Sequence, residues 1–272
     1  MTRFDRDTAV VRAGDGAAAG VFDVRIDAGW WIVMGPNGGY VAAIVLRAME
    51  AALGDPTRPP RSLTIHYVEP AVEGPARVHV RVERSGRSLS SLSARLEQDG
   101  RLIALALAAF GRTRDSIALH DLHMPEVAPP EGLSPPPSIP GRTAPMRDRF
   151  ETRPALGNSE PGTAARALTG GWLRLAEPQV PDAPALAMFC DSWPPAIFQR
   201  HAPGTSSMRG VPTLDLTVHF RAPVPAHARP DDFYLCVFRT QTACDGFLEE
   251  DGEIWTRDGV LLAHSRQLAM LV

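Results

Sequence analysis

Three polar side chains in the C-terminal half of the chain have the residue types needed to hold and activate a water molecule. Asp215, Thr240 and Gln267 each lie in a segment rich in β-branched and apolar residues. A carboxylate in a partly apolar cleft can serve as a general base, and a hydroxyl and an amide each offer donors and acceptors that orient water. The ordinary alternative is a strand-edge carboxylate at Asp215, paired with an arginine or capping a turn, beside two unremarkable strand residues.

A helix predicted from Asn37 to about Leu53 supplies a second group of candidates. Asn37 suits the N-cap and Gly54 the position just after the last turn. The unpaired N–H groups at Gly38-Gly39 and the positive end of the helix dipole suit an oxyanion, and glycines let an acyl group approach the backbone closely. A simple tight turn into the helix explains the glycine pair equally well.

The chain carries one sequence pattern twice. Three segments recur in the same order at similar spacing, Leu63–Pro70 with Leu216–Pro223, Val82–Ser85 with Val237–Thr240, and Asp99–Ala104 with Asp258–Ala263. Two copies are too few for a solenoid, so the pattern indicates a duplicated domain. The aligned copies place small residues of the first copy opposite the three polar candidates, namely Ser62 opposite Asp215, Ser85 opposite Thr240 and Ala108 opposite Gln267. Polar groups on one side only are typical of a single asymmetric site.

Each copy is predicted to contain one buried helix followed by an antiparallel meander. In the first copy, strands are expected near 61–68, 76–84, 89–98 and 101–111, after a short strand at Val21–Ile26. In the second copy, a weaker helix near 183–192 precedes strands near 213–221, 232–240, 246–256 and 260–271. This is an α+β architecture in which each sheet wraps a helix. We expect one unit at 1–112, a Pro-rich extended connector at 113–164, and a second unit at 165–272.

These motifs resemble a known family. Gly38-Gly39-Tyr40 opening a buried helix, the strand from Leu63 to Pro70, a hairpin ending in Phe110, and the C-terminal Ser265-Arg266-Gln267 are similar to the double hot-dog acyl-CoA thioesterases, the group that includes acyl-CoA thioesterase II. The resemblance covers roughly 20–112 and 165–272. It implies two fused hot-dog units and hydrolysis of an acyl-CoA, or a related acyl thioester, to a free acid and CoA.

The resemblance also implies roles for the polar candidates. Asp215 matches the catalytic acid, Gln267 matches a glutamine on the last strand, and the three matched groups hold and activate the attacking water. Counting forward from Tyr234 selects Thr240 as the hydroxyl, whereas counting backward from Gly246 slips the match by one residue and leaves Thr242 open. General-base catalysis and direct attack to form an anhydride both stay open. No metal or redox cofactor is implied, CoA is part of the substrate, and a homo-oligomer is expected.

Composition and missing motifs narrow the other possibilities. The formal net charge of -3 gives no reason to expect nucleic acid or an anionic membrane as a partner. Cys190, Cys236 and Cys244 are odd in number and lack metal-ligand spacing, and Met1–Val10 has no apolar signal region, so a cytoplasmic protein is expected. The sequence has no Gly-x-Ser-x-Gly elbow. Two rivals remain, a non-catalytic acyl-CoA or acyl-carrier binding protein and an enoyl-thioester hydratase, although the His-Asp spacing of hot-dog hydratases is missing.

Overall fold

The computed structural model describes residues 1–14, 20–32, 35–137, 144–157, 160–204 and 210–272. Three α-helices are found in these residues, α1 (Arg3–Asp7), α2 (Gly38–Leu53) and α3 (Ala183–Phe189). The strands of the first half are β1 (Val11–Arg12), β2 (Val21–Ile26), β3 (Pro60–Tyr67), β4 (Gly74–Ser85), β5 (Leu89–Gln98) and β6 (Arg101–Gly111). Those of the second half are β7 (Phe150–Leu156), β8 (Ala167–Leu175), β9 (Thr213–Phe220), β10 (Tyr234–Thr240), β11 (Ala243–Cys244), β12 (Phe247–Trp255) and β13 (Leu261–Met270).

The strands form one continuous antiparallel sheet with a symmetric strand order. That order is β1-β2-β4-β5-β6-β3 in the first half, continued by β9-β13-β12-β10-β8-β7 in the second, with β11 paired to β12. The two halves meet at β3 and β9, where Thr64 pairs with Thr217 and the two hydroxyl oxygens lie 3.0 Å apart. Because these threonines are equivalent in the sequence repeat, the duplication is built around an approximate two-fold axis at this pair.

Helix α2 begins and ends where the sequence predicted. The Asn37 side chain accepts a hydrogen bond from the Tyr40 N–H at 2.9 Å, and Gly54 closes the helix in the left-handed conformation with φ of 62°. Ten of its residues are buried, so the helix is enclosed by the first half of the sheet on one side and by α3 on another. The buried helix therefore carries its N-terminus into the contact between the two units.

The segment between the repeats is more structured than predicted. Within the expected connector at 113–164, Phe150–Leu156 forms β7 and pairs with β8, so this part of the prediction was wrong. Residues 124–133 lie on the outer face of the second half of the sheet, where the Trp172 indole donates a 2.8 Å hydrogen bond to the carbonyl of Ala128. The connector thus covers an apolar sheet face and adds an edge strand.

Strand β8 was absent from the prediction because Gly170-Gly171 interrupts its apolar pattern. Glycine in a strand often marks a close approach of another backbone. A Cβ on Gly170 would collide with the backbone carbonyl oxygen of Cys236 on β10, so only glycine fits there.

No helix in the described ranges is long and apolar enough to cross a membrane.

Candidate active site

A carboxylate from the second unit lies at the N-terminus of the helix of the first unit. Asp191 lies two residues after the end of α3 and is partly buried. Its Oδ2 accepts hydrogen bonds of 2.9 Å from the Gly39 N–H and 2.9 Å from the Asn37 side-chain amide. The same amide donates a 2.7 Å bond to the carbonyl of Asp191. Asn37 therefore caps α2 with its oxygen and holds Asp191 with its nitrogen.

The surroundings of Asp191 raise the pKa of its carboxyl group toward neutral pH. Desolvation raises the pKa of Asp191 to about 6, and it outweighs the hydrogen bonds from Gly39, Gly38 and Asn37, which lower it. A carboxyl group with such a pKa is charged at neutral pH yet basic enough to take a proton from water.

The packing explains the glycine pair at the start of α2. A Cβ on Gly39 would lie 2.7 Å from the carbonyl oxygen of Met188 and 3.0 Å from the Cβ of Asp191. A Cβ on Gly38 would lie 3.0 Å from Asp191 Oδ2 and from the hydroxyl of Tyr67. Glycine is needed here because the other unit approaches the helix so closely, a reason that neither sequence interpretation contained.

Tyr67, the last residue of β3, fixes the first turn of α2 from the other side. Its hydroxyl donates a 2.7 Å hydrogen bond to the carbonyl of Gly38. Burial raises the pKa of Tyr67 well above its usual range, and the negative charges of Asp191 and Asp215 add to that effect. The tyrosine therefore remains a neutral donor beside the carboxylate.

Gln267 lies in a chain of hydrogen bonds that crosses three strands. The Thr213 hydroxyl at the start of β9 donates to Gln267 Oε1 at 2.8 Å, and Gln267 Nε2 donates to Glu250 Oε1 at 2.9 Å. The other oxygen of Glu250 accepts a 2.6 Å bond from the N–H of Ala196, at the start of the 3-10 helix Ala196–Gln199. Both polar atoms of the Gln267 amide thus have partners.

Asp191 interacts electrostatically with Glu250, the last side chain of this hydrogen-bond chain. Burial raises the pKa of Glu250 to about 7, hydrogen bonds from Ala196 and Gln267 oppose that rise, and the charge of Asp191 adds to it. Two carboxyl groups that titrate near neutrality therefore lie on the inner side of the sheet, together with an amide and a hydroxyl.

Asp215 and Gln267 lie on neighbouring strands but are not directly paired. Asp215 pairs with Leu268 on β13, whereas Gln267 pairs with Leu216. Paired residues of antiparallel strands share a face and successive residues alternate, so Gln267 shares the inner face with the buried Leu216. Next to Asp215 the regular pairing is interrupted, and the charge of Asp215 acts on the hydroxyl of Tyr67 beside Gly38. A bulge beside Leu268 brings Thr213 to the inner face, opposite Ala269.

The two threonines considered for the third role lie in different surroundings. Thr240 is 9% exposed, and its hydroxyl has no hydrogen-bond partner in the part of the chain that the structure describes. Arg239 pairs with Asp251, and the next residues along the two strands are Thr240 and Glu250. Thr240 therefore shares the inner face with Glu250. Thr242 lies exposed in the turn before β11. Thr240 thus lies on the same face of the sheet as Glu250 and Gln267, whereas Thr242 lies at the surface.

The equivalent place in the other half of the molecule carries the opposite charge pattern. Asp182 is the N-cap of α3, as Asn37 is of α2, and its carboxylate forms a 3.0 Å ion pair with Arg47 of α2. A guanidinium therefore stands near the start of α3 where a carboxylate stands near the start of α2. This difference supports the sequence-based expectation of one asymmetric site.

Three residues of this site, Asp191, Thr213 and Glu250, were not predicted from the sequence. An acidic residue at the end of an otherwise apolar helical run, Phe189-Cys190-Asp191, was the available signal for the first. Glu250 gave no clear signal, because Glu249, Glu250 and Asp251 place acids on both faces of β12. No set of three or more His, Cys, Asp or Glu residues suitable for a metal ion occurs within the described ranges.

Comparisons with known proteins agree with this architecture. Residues 27–111 match the family model of the acyl-CoA thioesterase N-terminal domain, and residues 126–271 match that of the acyl-CoA thioesterase C-terminal domain. The comparison with curated proteins gives no match.

Solved structures show the fold over the whole chain. A hot-dog protein of unknown function from Alicyclobacillus acidocaldarius is 27% identical with a TM-score of 0.84, covering 100% of this chain and 98% of that one. A protein from Thermobifida fusca, provisionally assigned as a thioesterase II, is 24% identical with a TM-score of 0.82 and coverage of 100% and 98%. Acyl-CoA thioesterase II TesB2 from Mycobacterium marinum is 20% identical with a TM-score of 0.77 and coverage of 99% and 98%. The chain therefore belongs to the acyl-CoA thioesterase family, has the predicted double hot-dog fold and is a thioester hydrolase.

Proposed function

We propose that this protein hydrolyses acyl-CoA with Asp191 as the general base for the attacking water. The observation that carries the proposal is the position of this carboxylate at the N-terminus of α2, within the electrostatic environment of Gln267 and Glu250. Asp215 is the acid that the family resemblance implies, and its charge also acts on Tyr67, whose hydroxyl bonds to Gly38. Its catalytic role stays a prediction that the experiment below tests directly.

Asp191 has the acceptor capacity that the reaction needs. An ionised carboxylate offers about four lone-pair positions, so it can keep its bonds from Asn37 and Gly39 and still accept a proton from water. Gln267 and Thr213 orient the same water through their amide and hydroxyl groups. The water loses one proton to Asp191 while its oxygen bonds to the thioester carbonyl carbon, which leaves the negative charge on the carbonyl oxygen.

The N-terminus of α2 stabilises negative charge throughout this step. Before the reaction, the charge is on Asp191, which accepts from Gly39. As Asp191 becomes neutral, the charge moves to the carbonyl oxygen nearby, where the helix dipole and the N–H groups of Gly38 and Gly39 can stabilise it. The N–H groups of the glycines therefore have two roles in this proposal: they first bind the carboxylate of Asp191 and then stabilise the oxyanion, as the sequence predicted. Collapse of the oxyanion breaks the C–S bond, and the proton on Asp191 passes to the leaving thiolate, giving a free acid and CoA.

The test is release of free thiol from acyl-CoAs of short, long and aryl type by the wild type, Asp191→Asn and Asp215→Asn. We expect Asp191→Asn to lower kcat by roughly 100- to 10,000-fold, the usual contribution of a general base. Asp215→Asn tests the rival assignment of the base in the same assay, and if Asp191 alone is the base its activity should stay within about threefold. Thermal unfolding checks that both variants fold.

Loss of activity in Asp215→Asn with retention in Asp191→Asn would overturn the assignment of the base and leave the thioesterase activity in place. Wild type without turnover on any acyl-CoA, although CoA esters bind, would favour the non-catalytic alternative instead.

A further inference from the structure

Glu250 is a buried acid whose position the proposed reaction does not explain. It is 3% exposed, on the inner face of the central strand β12. Burying a carboxylate is costly unless it has strong partners, and its loss of hydration is only partly recovered even then. An apolar residue at this position would avoid that cost, so the presence of a glutamate suggests that its carboxylate has a function.

The two oxygens of Glu250 accept from different elements. Oε2 accepts the Ala196 N–H at 2.6 Å, which has no other partner in a helix because it lies in the first turn. Oε1 accepts Gln267 Nε2 at 2.9 Å. A carboxylate can only accept hydrogen bonds, so the charged form of Glu250 requires Gln267 to direct its NH₂ group toward it. The Gln267 carbonyl then points to Thr213, whose hydroxyl donates to it.

We propose that Glu250 is a positioning residue for the reaction: its carboxylate fixes which way the Gln267 amide points, and so whether this amide presents a donor or an acceptor to the attacking water. The inference rests on the proposed function, because it concerns how Gln267 orients that water. Glu250 itself need not touch water or substrate.

Protonation of Glu250 reverses this arrangement. The Ala196 N–H keeps Oε2 as an acceptor, so the proton resides on Oε1 and faces Gln267 Nε2 as a second donor. The clash is relieved when the amide rotates by half a turn and its oxygen accepts the new proton. Thr213 tolerates the rotation, since a hydroxyl can accept as well as donate. Gln267 therefore has two hydrogen-bonded states, selected by one proton on Glu250.

The surroundings of Glu250 place that proton in a useful pH range. Burial raises the pKa of Glu250 to about 7. Two nearby charges, Asp191 after α3 and Glu249 next to it on its own strand, both raise the pKa of Glu250 further. Its other neighbours on the inner face and at the 3-10 helix are uncharged, namely Gln267, Thr240 and Ala196.

Glu250→Gln imitates the protonated state, because its carbonyl can serve the Ala196 N–H while its NH₂ group faces Gln267. We expect this variant to lower kcat at pH 8 by roughly tenfold, a typical result of misplacing a group that orients a reactant, with KM within about twofold. The difference from the wild type should shrink as the pH falls through about 7, because wild-type Glu250 then becomes protonated too.

The control is Glu253→Gln on the same strand. Glu253 is 5% exposed on the outer face, where it pairs with Arg239 at 2.8 Å. Removing its charge should lower stability and leave the pH profile of kcat unchanged. Equal profiles for wild type and Glu250→Gln would overturn the proposal, and so would a loss that is the same at pH 6 and pH 8.

A double-mutant cycle tests whether Glu250 acts through Gln267. If it does, Glu250→Gln combined with Gln267→Ala should lose no more activity than Gln267→Ala alone. Multiplicative losses would indicate an independent role and refute the positioning role. These outcomes are separate from the proposed function, which fails only if the wild type has no thioesterase activity or if Asp191→Asn retains it.

The wild-type protein allows a further test that does not depend on whether a Glu250 variant folds. The side-chain amide resonances of Gln267, assigned by their loss in Gln267→Ala, should move between two states as the pH passes through about 7. Resonances that stay fixed between pH 6 and pH 8 would exclude the rotation.

Discussion

The backbone N–H of Gly39 donates a 2.9 Å hydrogen bond to Oδ2 of Asp191, a residue 152 positions further along the chain. The donor lies in the first turn of the helix of the first hot-dog unit, and the acceptor lies just after the helix of the second. Neither unit alone contains both parts of the candidate site. Duplication and fusion therefore do more than double a scaffold, because they allow one half to supply a helix N-terminus and the other half a carboxylate.

Asn37 should control the protonation of Asp191. Asn37→Asp keeps the side-chain oxygen that caps α2 but replaces the donor to Asp191 by a second negative group. Like charges at this distance raise a carboxyl pKa, so the acid limb of kcat should move to higher pH, with lower activity at pH 7. Asn37→Ser keeps the cap without adding a charge and serves as the control. A limb at the same pH in Asn37→Asp and wild type would contradict the placement of the base.

Gly39→Ala should reduce both activity and stability. Its Cβ would lie 2.7 Å from the Met188 carbonyl oxygen, which is backbone and cannot rotate away, so α2 and α3 must separate. We expect a loss of stability of about 1–3 kcal/mol and at least a tenfold loss of kcat, measured by urea unfolding and thiol release. Gly132→Ala is the matched control, since no atom lies within 4 Å of its Cβ position. Wild-type activity in Gly39→Ala would show that the close approach is not needed for the reaction.

The pH dependence of the wild type follows from the same carboxylate. A general base must be deprotonated, and desolvation raises the pKa of Asp191 to about 6. At saturating substrate, kcat should therefore fall as the pH decreases through about 6. An acid limb near pH 4, where an ordinary carboxyl group titrates, would show that a well-solvated acid performs this step.

The sequence was sufficient for those parts of the fold that depend on local pattern. The caps at Asn37 and Gly54 bounded α2, and the turns at Asp99-Gly100 and Asp258-Gly259 lie between the strands they were expected to join. Asp99 and Gly100 have positive φ, as a tight hairpin requires. Each of these signals is contained within a few residues, so no knowledge of the tertiary structure is needed.

The site was less predictable because it depends on contacts between distant segments. Gln267 was found through the repeat and the family resemblance, but its partners Thr213 and Glu250 depend on strand register. A bulge in β9 turns Thr213 inward and interrupts the regular alternation next to Asp215. A shift of one residue exchanges the faces of a strand, so alternation alone could not decide which of the two lies in the site.

Glu50 should make the protein less stable above neutral pH. Burial and the charge of Asp182 raise the pKa of Glu50 to about 7, and Arg47 only partly opposes them. Between the pKa of an unfolded glutamate, about 4.3, and about 7, the folded state keeps a proton that the unfolded state releases. Stability must therefore fall as the pH rises through this window. Glu50→Gln removes the titration, so its stability relative to the wild type should increase by about 1–3 kcal/mol between pH 5 and pH 8. Urea unfolding at both pH values measures this difference, with the exposed Glu73→Gln as control. If Glu50→Gln gains the same stability at pH 5 and pH 8, the gain comes from packing. A proton that is released on unfolding would make the gain depend on pH.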